Sequence, residues 1–359
     1  MTSFPLAPGA VIGVLGGGQL GRMLAMAAAR LGFDVAALDP EPDAPAHRVA
    51  AKAIVGAYDD PGALRELAAL ADVISFEFEN VPAAAVEVLA AAGASVAPGA
   101  RALAVSQDRL AEKSFLNEAG APTVAFAAIE RADDIAAALR RLGGPLLIKT
   151  RRGGYDGKGQ AWIDRPEAAA RVFAEIGQVP AIAEARADFR RELSVIAARG
   201  RDGAVAFYPL GENRHEGGIL RRTVAPASVA PAAQAEAERI AAALLQGLDY
   251  VGVIGIELFE LADGRLLVNE FAPRVHNTGH WTLDGCEVDQ FEQHVRAIAG
   301  WPLGPTHAIA RVEMTNLIGE EAADWAKLAA EPETRLWLYG KTEARPGRKM
   351  GHVNRLSRL

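Results

Sequence analysis

The chain has 359 residues, half of them hydrophobic and 23% charged, with a net charge of −7. That length exceeds one ordinary hydrophobic core, so two or three domains are expected, and the acidic balance argues against a general nucleic-acid partner while leaving room for a local basic site. The single cysteine, Cys286, excludes an internal disulfide and fits a reducing, cytoplasmic setting. No secretory leader is read at the N-terminus. The alanine-rich runs are too short or too interrupted by charge to span a bilayer, so no membrane partner is expected.

The first hundred residues alternate strand and helix signals. Val11–Leu15 is an apolar run, Gln19–Leu31 has helical periodicity and stops at Gly32, Asp34–Leu38 is a second apolar run and Val73–Phe78 a further strand. Strands alternating with helices predict an α/β fold with a parallel sheet. Between the first strand and helix, Gly16-Gly17-Gly18-Gln19-Leu20-Gly21 satisfies G-x-G-x-x-G, and Asp39 follows at about the spacing of a ribose-binding acid. Three readings stay open here: an NAD-dependent dehydrogenase, a tight turn that needs glycine for close backbone approach, or a helix N-terminus holding some other anion.

Ala97-Pro98-Gly99 marks a boundary. A helix is predicted from Ser106, as N-cap, to Ala119, with Gly120 as its stop. Pro145–Thr150 then reads as a buried strand that runs into Arg151-Arg152-Gly153-Gly154-Tyr155-Asp156-Gly157-Lys158-Gly159-Gln160. Four glycines in seven residues, with cations between them, suit a flap whose amides close over a polyphosphate. Lys149 and Lys158 can each bring a point charge to a phosphate. No G-K-[ST] follows, so this is not a Walker loop, and a plain solvated loop is the structural alternative.

Further strands are predicted over Ala181–Glu184, Glu192–Ala197 and Val205–Tyr208, and an alanine-rich helix over 231–247. Glu184, at a strand end where two lobes could hinge, suits ribose hydroxyls or an exocyclic amine, or is a plain surface glutamate. His215 sits in a loop followed by a cationic turn, and a lone histidine is more often structural. From Val251 to Trp281 two strands are joined by a turn at Asp263-Gly264, and each carries a carboxylate, Glu257 and Glu270. Converging carboxylates followed by Arg274, His276, Asn277 and His280 are what a magnesium–polyphosphate site requires, since magnesium takes one or two carboxylates plus phosphate oxygens. Asp289–Ala299 reads as a helix and Ala310–Leu317 as a strand, and the end of the chain reads as a basic, helix-free tail, ARPGRKMGH.

Together these features resemble the ATP-grasp superfamily, and within it the N5-carboxyaminoimidazole ribonucleotide synthetases of purine biosynthesis. The similar segments are GVLGGGQLGRML, RRGGYDGKGQ, FYPLGENRHEGGILR, NEFAPRVHNTGHW and RPGRKMGH, in the family's order and spanning nearly the whole chain. The resemblance implies a Rossmann-like domain over 1–105 without a nicotinamide cofactor. It also implies a two-lobed ATP-grasp domain over 106–305, with a lid at about 120–185, and a small C-terminal domain over 306–359. The implied reaction is ATP-dependent carboxylation of 5-aminoimidazole ribonucleotide (AIR) with bicarbonate, by a homodimer using ATP and Mg2+.

Carried over residue by residue, the resemblance puts Arg109, Lys149 and the flap from Gly154 through Tyr155, Asp156, Gly157, Lys158 and Gly159 to Gln160 on the ATP phosphates. It puts Glu184 with Ala185, Arg186 and Ala187 at the adenine, Glu192 at the ribose, His215 near the nucleotide and Asn269 beside the metal ligands Glu257 and Glu270. Glu77 or Glu79, Tyr155, Lys158, His276, Asn277, Lys341, Arg348 and Lys349 form the implied AIR site, and Asp156, Arg274 and Lys349 the catalytic set. Asp156 is the candidate base for the amine proton, and Arg274 stabilises carboxyphosphate. Two positions depart from the superfamily pattern. Ala272 stands where many of its enzymes have asparagine, so Asn277 is expected to take over that polar work, and Ala185-Arg186-Ala187 is unusual around an adenine. The remaining alternatives are another carboxylate–amine ligase of the same superfamily, the dehydrogenase, and a non-catalytic ATP-binding regulator.

Overall fold

The computed structural model describes residues 2–154 and 159–359. Among these residues the strands form three sheets. The first contains β1 (Val11–Leu15), β2 (Asp34–Asp39), β3 (Lys52–Val55) and β4 (Val73–Phe76), all parallel, in the order β3-β2-β1-β4. The Gln19–Arg30 helix covers it with Leu20, Met23, Leu24, Ala27 and Ala28, the three-and-four spacing of one helix face. It stops at Gly32, whose φ of +80° suits glycine.

The second sheet is antiparallel, with β5 (Phe126–Ile129), β6 (Leu146–Thr150), β7 (Gln160–Ile163) and β8 (Ala181–Ala185) in the order β5-β8-β6-β7. The glycine-rich segment joins β6 to β7. Its far side closes with the backbone bond from Thr150 N to Gly159 O, where Gly159 has φ +69° and a Cβ would meet the Thr150 hydroxyl at 2.8 Å.

The third and largest sheet is built from β9 (Phe189–Arg199), β10 (Val205–Phe207), β11 (Gly211–Glu216), β12 (Ile219–Ala225), β13 (Gly252–Leu261), β14 (Leu266–Ala272), β15 (Arg311–Ile318), β16 (Thr334–Leu338) and β17 (Lys349–Ser357). The order is β14-β13-β9-β11-β12-β15-β17-β16, with β10 paired to β9. Strand alternation sorts its two faces. Leu193, Val195 and Ala197 of β9 and Ile254, Ile256 and Leu258 of β13 form one core with Ile240 and Leu244 of the Pro231–Gly247 helix. The residues between them, Glu192 and Ser194 on β9 and Glu257 and Phe259 on β13, share the opposite face.

Two sequence expectations need correction. The predicted helix from Ser106 begins three residues later: Ser106 ends the preceding Ala100–Ser106 helix, and Asp108 caps the Arg109–Glu118 helix by accepting from the Leu110 and Ala111 amides at 3.0 and 3.3 Å. His215, expected in a loop, lies instead in β11. The basic tail, read as helix-free, contains no helix. Its last part starts β17, which lies between β15 and β16 with His352, Val353 and Asn354 buried. A strand covered on both faces shows no clean alternation, so the tail's charges dominated its pattern. Among the described residues no helix is long and apolar enough to cross a membrane.

Candidate active site

Glu257 and Glu270 are direct cross-strand partners of β13 and β14. The ladder shifts register just beyond Glu257, pairing Leu258 with Val268 and leaving Asn269 as the extra residue on β14. A bulge of this kind re-aims side chains. Here the Asn269 side chain lies beside the Glu257 carboxylate and acts to lower it, while Glu270 turns to Arg109, whose Nη1 donates to Glu270 Oε2 at 2.8 Å. The two carboxyls diverge in acidity. Burial, then the neighbouring Glu270 charge, pushes Glu257 up to about 7. Burial also acts upward on Glu270, but Arg109 and Lys149 outweigh it and hold Glu270 at about 2. Two facing carboxylates with an amide oxygen nearby are a hard-oxygen donor set that fits magnesium. Among the described residues no third acidic, histidine or cysteine ligand completes a cage, as expected for an ion that takes the rest of its shell from phosphate and water.

One turn of helix supplies the cationic and acidic surround. Arg109 sits at the helix start, held by the Asp108 cap, and Asp108 in turn accepts a two-point fork from Arg151, Nε at 3.0 and Nη2 at 2.8 Å. Arg109 Nη2 also donates to Gly154 O at 3.0 Å, which ties the start of the glycine segment to Glu270. Glu112 and Lys113 follow on the same helix and are almost fully buried. Neither is singled out as a site residue by the sequence.

Beside this cluster lies a cavity of about 430 Å³ between the second and third sheets. Val124, Leu147, Trp162, Phe189 and Phe259 give it apolar walls, and Phe189 and Phe259 stack at 4.5 Å. Lys149, Glu184 and Asn269 are its polar end, with Ala185, Arg186 and Ala187 along one side. Lys149 Nζ donates to Glu184 Oε2 at 2.7 Å, and Lys113 Nζ lies 3.7 Å from Glu184 Oε1. Burial would raise Glu184, but the two lysines lower it, so it stays an anion. A flat, mostly apolar slot ending in a few polar groups suits a nucleobase.

The remaining site residues fall around the carboxylates. Glu192 and His215 hydrogen-bond to each other; burial acts to lower the histidine, but this bond and the Glu257 and Glu192 charges together raise it. Arg274 hydrogen-bonds Glu79, and this pairing holds Glu79 low against the upward effect of burial. His276 Nε2 is 3.7 Å from Glu257, and burial with Arg274 beside it pulls the ring down to about 3, so it is neutral. Asn277 exchanges reciprocal amide hydrogen bonds with Asn316, at 2.7 and 3.1 Å. Its carboxamide is therefore engaged with Asn316 of β15. Lys341 Nζ donates to Lys349 O at 2.8 Å, and Arg348 Nη1 to Glu343 O at 2.9 Å. Lys349 is close enough for its charge to oppose protonation of both His215, which is raised overall, and His276. Gln160 opens β7 with an exposed side chain. Tyr155, Asp156, Gly157 and Lys158 lie outside the described residues.

The N-terminal glycine motif does not serve a dinucleotide. The Glu77 carboxylate fills the place a pyrophosphate would take, accepting from the Gly18 amide and, at 2.7 Å, from the Gly21 amide. Asp39 accepts from Gly17 N and Tyr58 Oη, both at 2.6 Å. Glycine is needed at 16 because φ is +105° and a Cβ would lie 2.3 Å from Glu77 Cγ. The tight-turn and anion-holding readings both hold, with the protein's own glutamate as the anion, and the dehydrogenase reading falls.

A mostly apolar slot between two antiparallel sheets, with lysine, arginine and paired carboxylates at one end, is the architecture of an ATP-grasp enzyme. Residues 114–291 match the ATP-grasp domain, 10–107 the ribonucleotide synthetase preATP-grasp domain, and 313–358 the phosphoribosylaminoimidazole carboxylase C-terminal domain. The chain is 51% identical to the N5-carboxyaminoimidazole ribonucleotide synthase of Brucella melitensis, over 99% of each chain. It superposes with a TM-score of 0.94 on the ADP complex of an N5-carboxyaminoimidazole ribonucleotide synthetase, at 37% identity, over 99% of this chain and 94% of the other. The Aspergillus clavatus synthase in complex with ADP and AIR gives a TM-score of 0.91 at 31% identity, over 98% and 94%. The chain belongs to the N5-carboxyaminoimidazole ribonucleotide synthase family.

Proposed function

We infer that this chain catalyses the ATP-dependent carboxylation of AIR, forming N5-carboxyaminoimidazole ribonucleotide, ADP and phosphate in purine biosynthesis. The observation that carries the reading is the Glu257–Glu270 pair, with Arg109 on Glu270 and Lys149 at the polar end of the adjoining slot. The full-length likeness to a synthase family supports AIR as the acceptor, since one relative holds AIR with ADP.

Bicarbonate is the proposed carbon source. Its carbon is a poor electrophile, and transfer of the γ-phosphoryl group to one of its oxygens installs a leaving group as carboxyphosphate. The transfer brings an anion to a polyanion, so positioning and charge neutralisation dominate catalysis. Glu257 and Glu270 would hold magnesium, with Asn269 beside them, and the bound ion would neutralise phosphate charge. Lys149, Arg109 and the flap from Gly154 to Gln160 orient the phosphates, while Glu184 and the 185–187 segment face the adenine and Glu192 with His215 the ribose side. Arg274, oriented by Glu79, offers a fixed guanidinium to the carboxyphosphate. The AIR amine then attacks the activated carboxyl and phosphate departs, with Asp156 as the proposed base for the amine proton. Lys341, Arg348, Lys349 and His276 are the proposed AIR-phosphate and ribose side, and a cytoplasmic homodimer is the proposed setting.

ADP release measured with and without AIR tests the reading. Release that requires AIR and bicarbonate is expected, whereas release stimulated only by a different amine would move the chain to another carboxylate–amine ligase.

A further inference from the structure

Strand β14 ends its sheet, with β13 as its one strand neighbour among the described residues, and on its outer side other described backbone meets it only at Val268, through Pro122 O at 2.7 Å and a bridge to Thr123. The outward peptide groups of such a strand need partners, and the bulge at Asn269 interrupts the ladder that would fix its register. Two neighbouring side chains of the Arg109–Glu118 helix supply those partners. Lys113 Nζ donates to Asn269 O at 2.7 Å, and Glu112 Oε1 accepts from Phe271 N at 2.8 Å. The two contacts bracket Glu270, whose own carboxylate is held by Arg109 one turn earlier on the same helix. Three consecutive residues of the strand are thus gripped by one helical turn. The grip extends to the nucleobase slot, because Lys113 also lies 3.7 Å from Glu184. Both side chains are withdrawn from solvent, with 3% of Glu112 and 2% of Lys113 exposed.

We propose that Glu112 and Lys113 are positioning residues that clamp the backbone on either side of Glu270, holding this metal–phosphate carboxylate in register with Glu257 and coupling it to Glu184 in the nucleobase slot. The proposal rests on the reading of Glu270 as a ligand of the ATP-bound metal. The clamp works by hydrogen bonding to the strand, so an isosteric acceptor at 112 should preserve it and an apolar residue should not.

The test uses the full chain carrying Glu112→Leu, Glu112→Gln, Lys113→Met or Lys113→Arg. ADP binding is titrated calorimetrically with magnesium and with chelator, and amide exchange is followed over 266–272. Partners of this kind around a metal ligand change metal affinity or activity by roughly 10–100-fold. Glu112→Leu and Lys113→Met should weaken Mg-ADP binding by about that factor, leave metal-free ADP binding less affected, and speed exchange at Phe271. Glu112→Gln should stay close to the unmodified chain. Unchanged Mg-ADP affinity in Glu112→Leu or Lys113→Met overturns the clamp, as does a Glu112→Gln defect as large as that of Glu112→Leu. If Glu112→Leu does not fold, the Lys113→Met and Lys113→Arg pair decides, with Arg expected to retain more affinity. An unmodified chain that binds no Mg-ADP would instead sink the functional reading itself.

Discussion

Glu257 and Glu270 face each other across β13 and β14, yet the protein holds one near neutrality and the other as a firm anion. Arg109, which bonds the Glu270 carboxylate, breaks the symmetry together with Lys149. Like charges this close resist joint ionisation, and a divalent cation with its phosphates would relieve that conflict. Replacing Glu270 by Ala should lower kcat by at least about 100-fold, the scale of losing one designed electrostatic contact in a transition state, while the chain stays folded. Steady-state ADP release and a denaturation curve on the same sample check this. Full turnover in Glu270→Ala would fit a binding protein that does no chemistry.

Lys149 bridges the slot and the phosphate end through its 2.7 Å bond to Glu184. Lys149→Met removes that donor and a cation proposed for the phosphates. A hydrogen bond to a charged group is worth about 1.5–3 kcal/mol, so KM for ATP should rise roughly 10–100-fold. KM for AIR should change little, and measuring both constants separates a nucleotide defect from a general one.

The glycine loop offers a stability test. Gly16→Ala would place a Cβ 2.3 Å from Glu77 Cγ at a φ of +105°. Strain at such a backbone position costs on the order of 1–3 kcal/mol, and the clash adds to it, so urea should unfold this variant at a clearly lower midpoint. The unmodified chain should bind no nicotinamide dinucleotide in a titration, because Glu77 occupies the amides that would receive it.

His294 links the first and third sheets. Its Nε2 meets Ser75 Oγ at 2.8 Å and its Nδ1 accepts from Val253 N at 3.0 Å. Burial pulls the ring down to about 4. The unfolded chain takes up the proton near 6.5, whereas the folded chain refuses it until about 4. Stability is therefore full above the unfolded value and falls as the pH drops, by about 3 kcal/mol across that window. His294→Asn can keep the acceptor for Val253 and should show a shallower loss between pH 6.5 and 4 in paired denaturation series. Equal slopes for the two proteins would place the acid sensitivity elsewhere.

Much of this site is legible in the sequence because its residues sit on regular elements beside conspicuous punctuation. The turn at Asp263-Gly264 places Glu257 and Glu270 on adjacent strands, and their order along the chain is enough to pair them. The glycines around Gly154 and Gly159 announce the segment between β6 and β7. Long-range contacts are less legible. Nothing in the sequence marks Glu112 and Lys113 until β14 is laid against them, and Asp108 is recognisable as a cap only once the 100–106 helix is seen to end first. Glu77 shows the same limit. A G-x-G-x-x-G pattern advertises an anion site, but only the parallel β1–β4 pairing reveals that the anion comes from the same chain. The strand within the tail is hard to read for a related reason, since β17 is buried and its pairing with β15 and β16 shows only in the fold.

The most direct test of the central claim follows oxygen from bicarbonate. If ATP activates bicarbonate as carboxyphosphate, the bridging oxygen stays with phosphorus when the carbon leaves. Turnover of 18O-labelled bicarbonate with AIR and ATP should yield inorganic phosphate carrying one labelled oxygen, with phosphate release dependent on both substrates. Unlabelled phosphate from the same reaction would mean that ATP is hydrolysed by water, and would contradict the account.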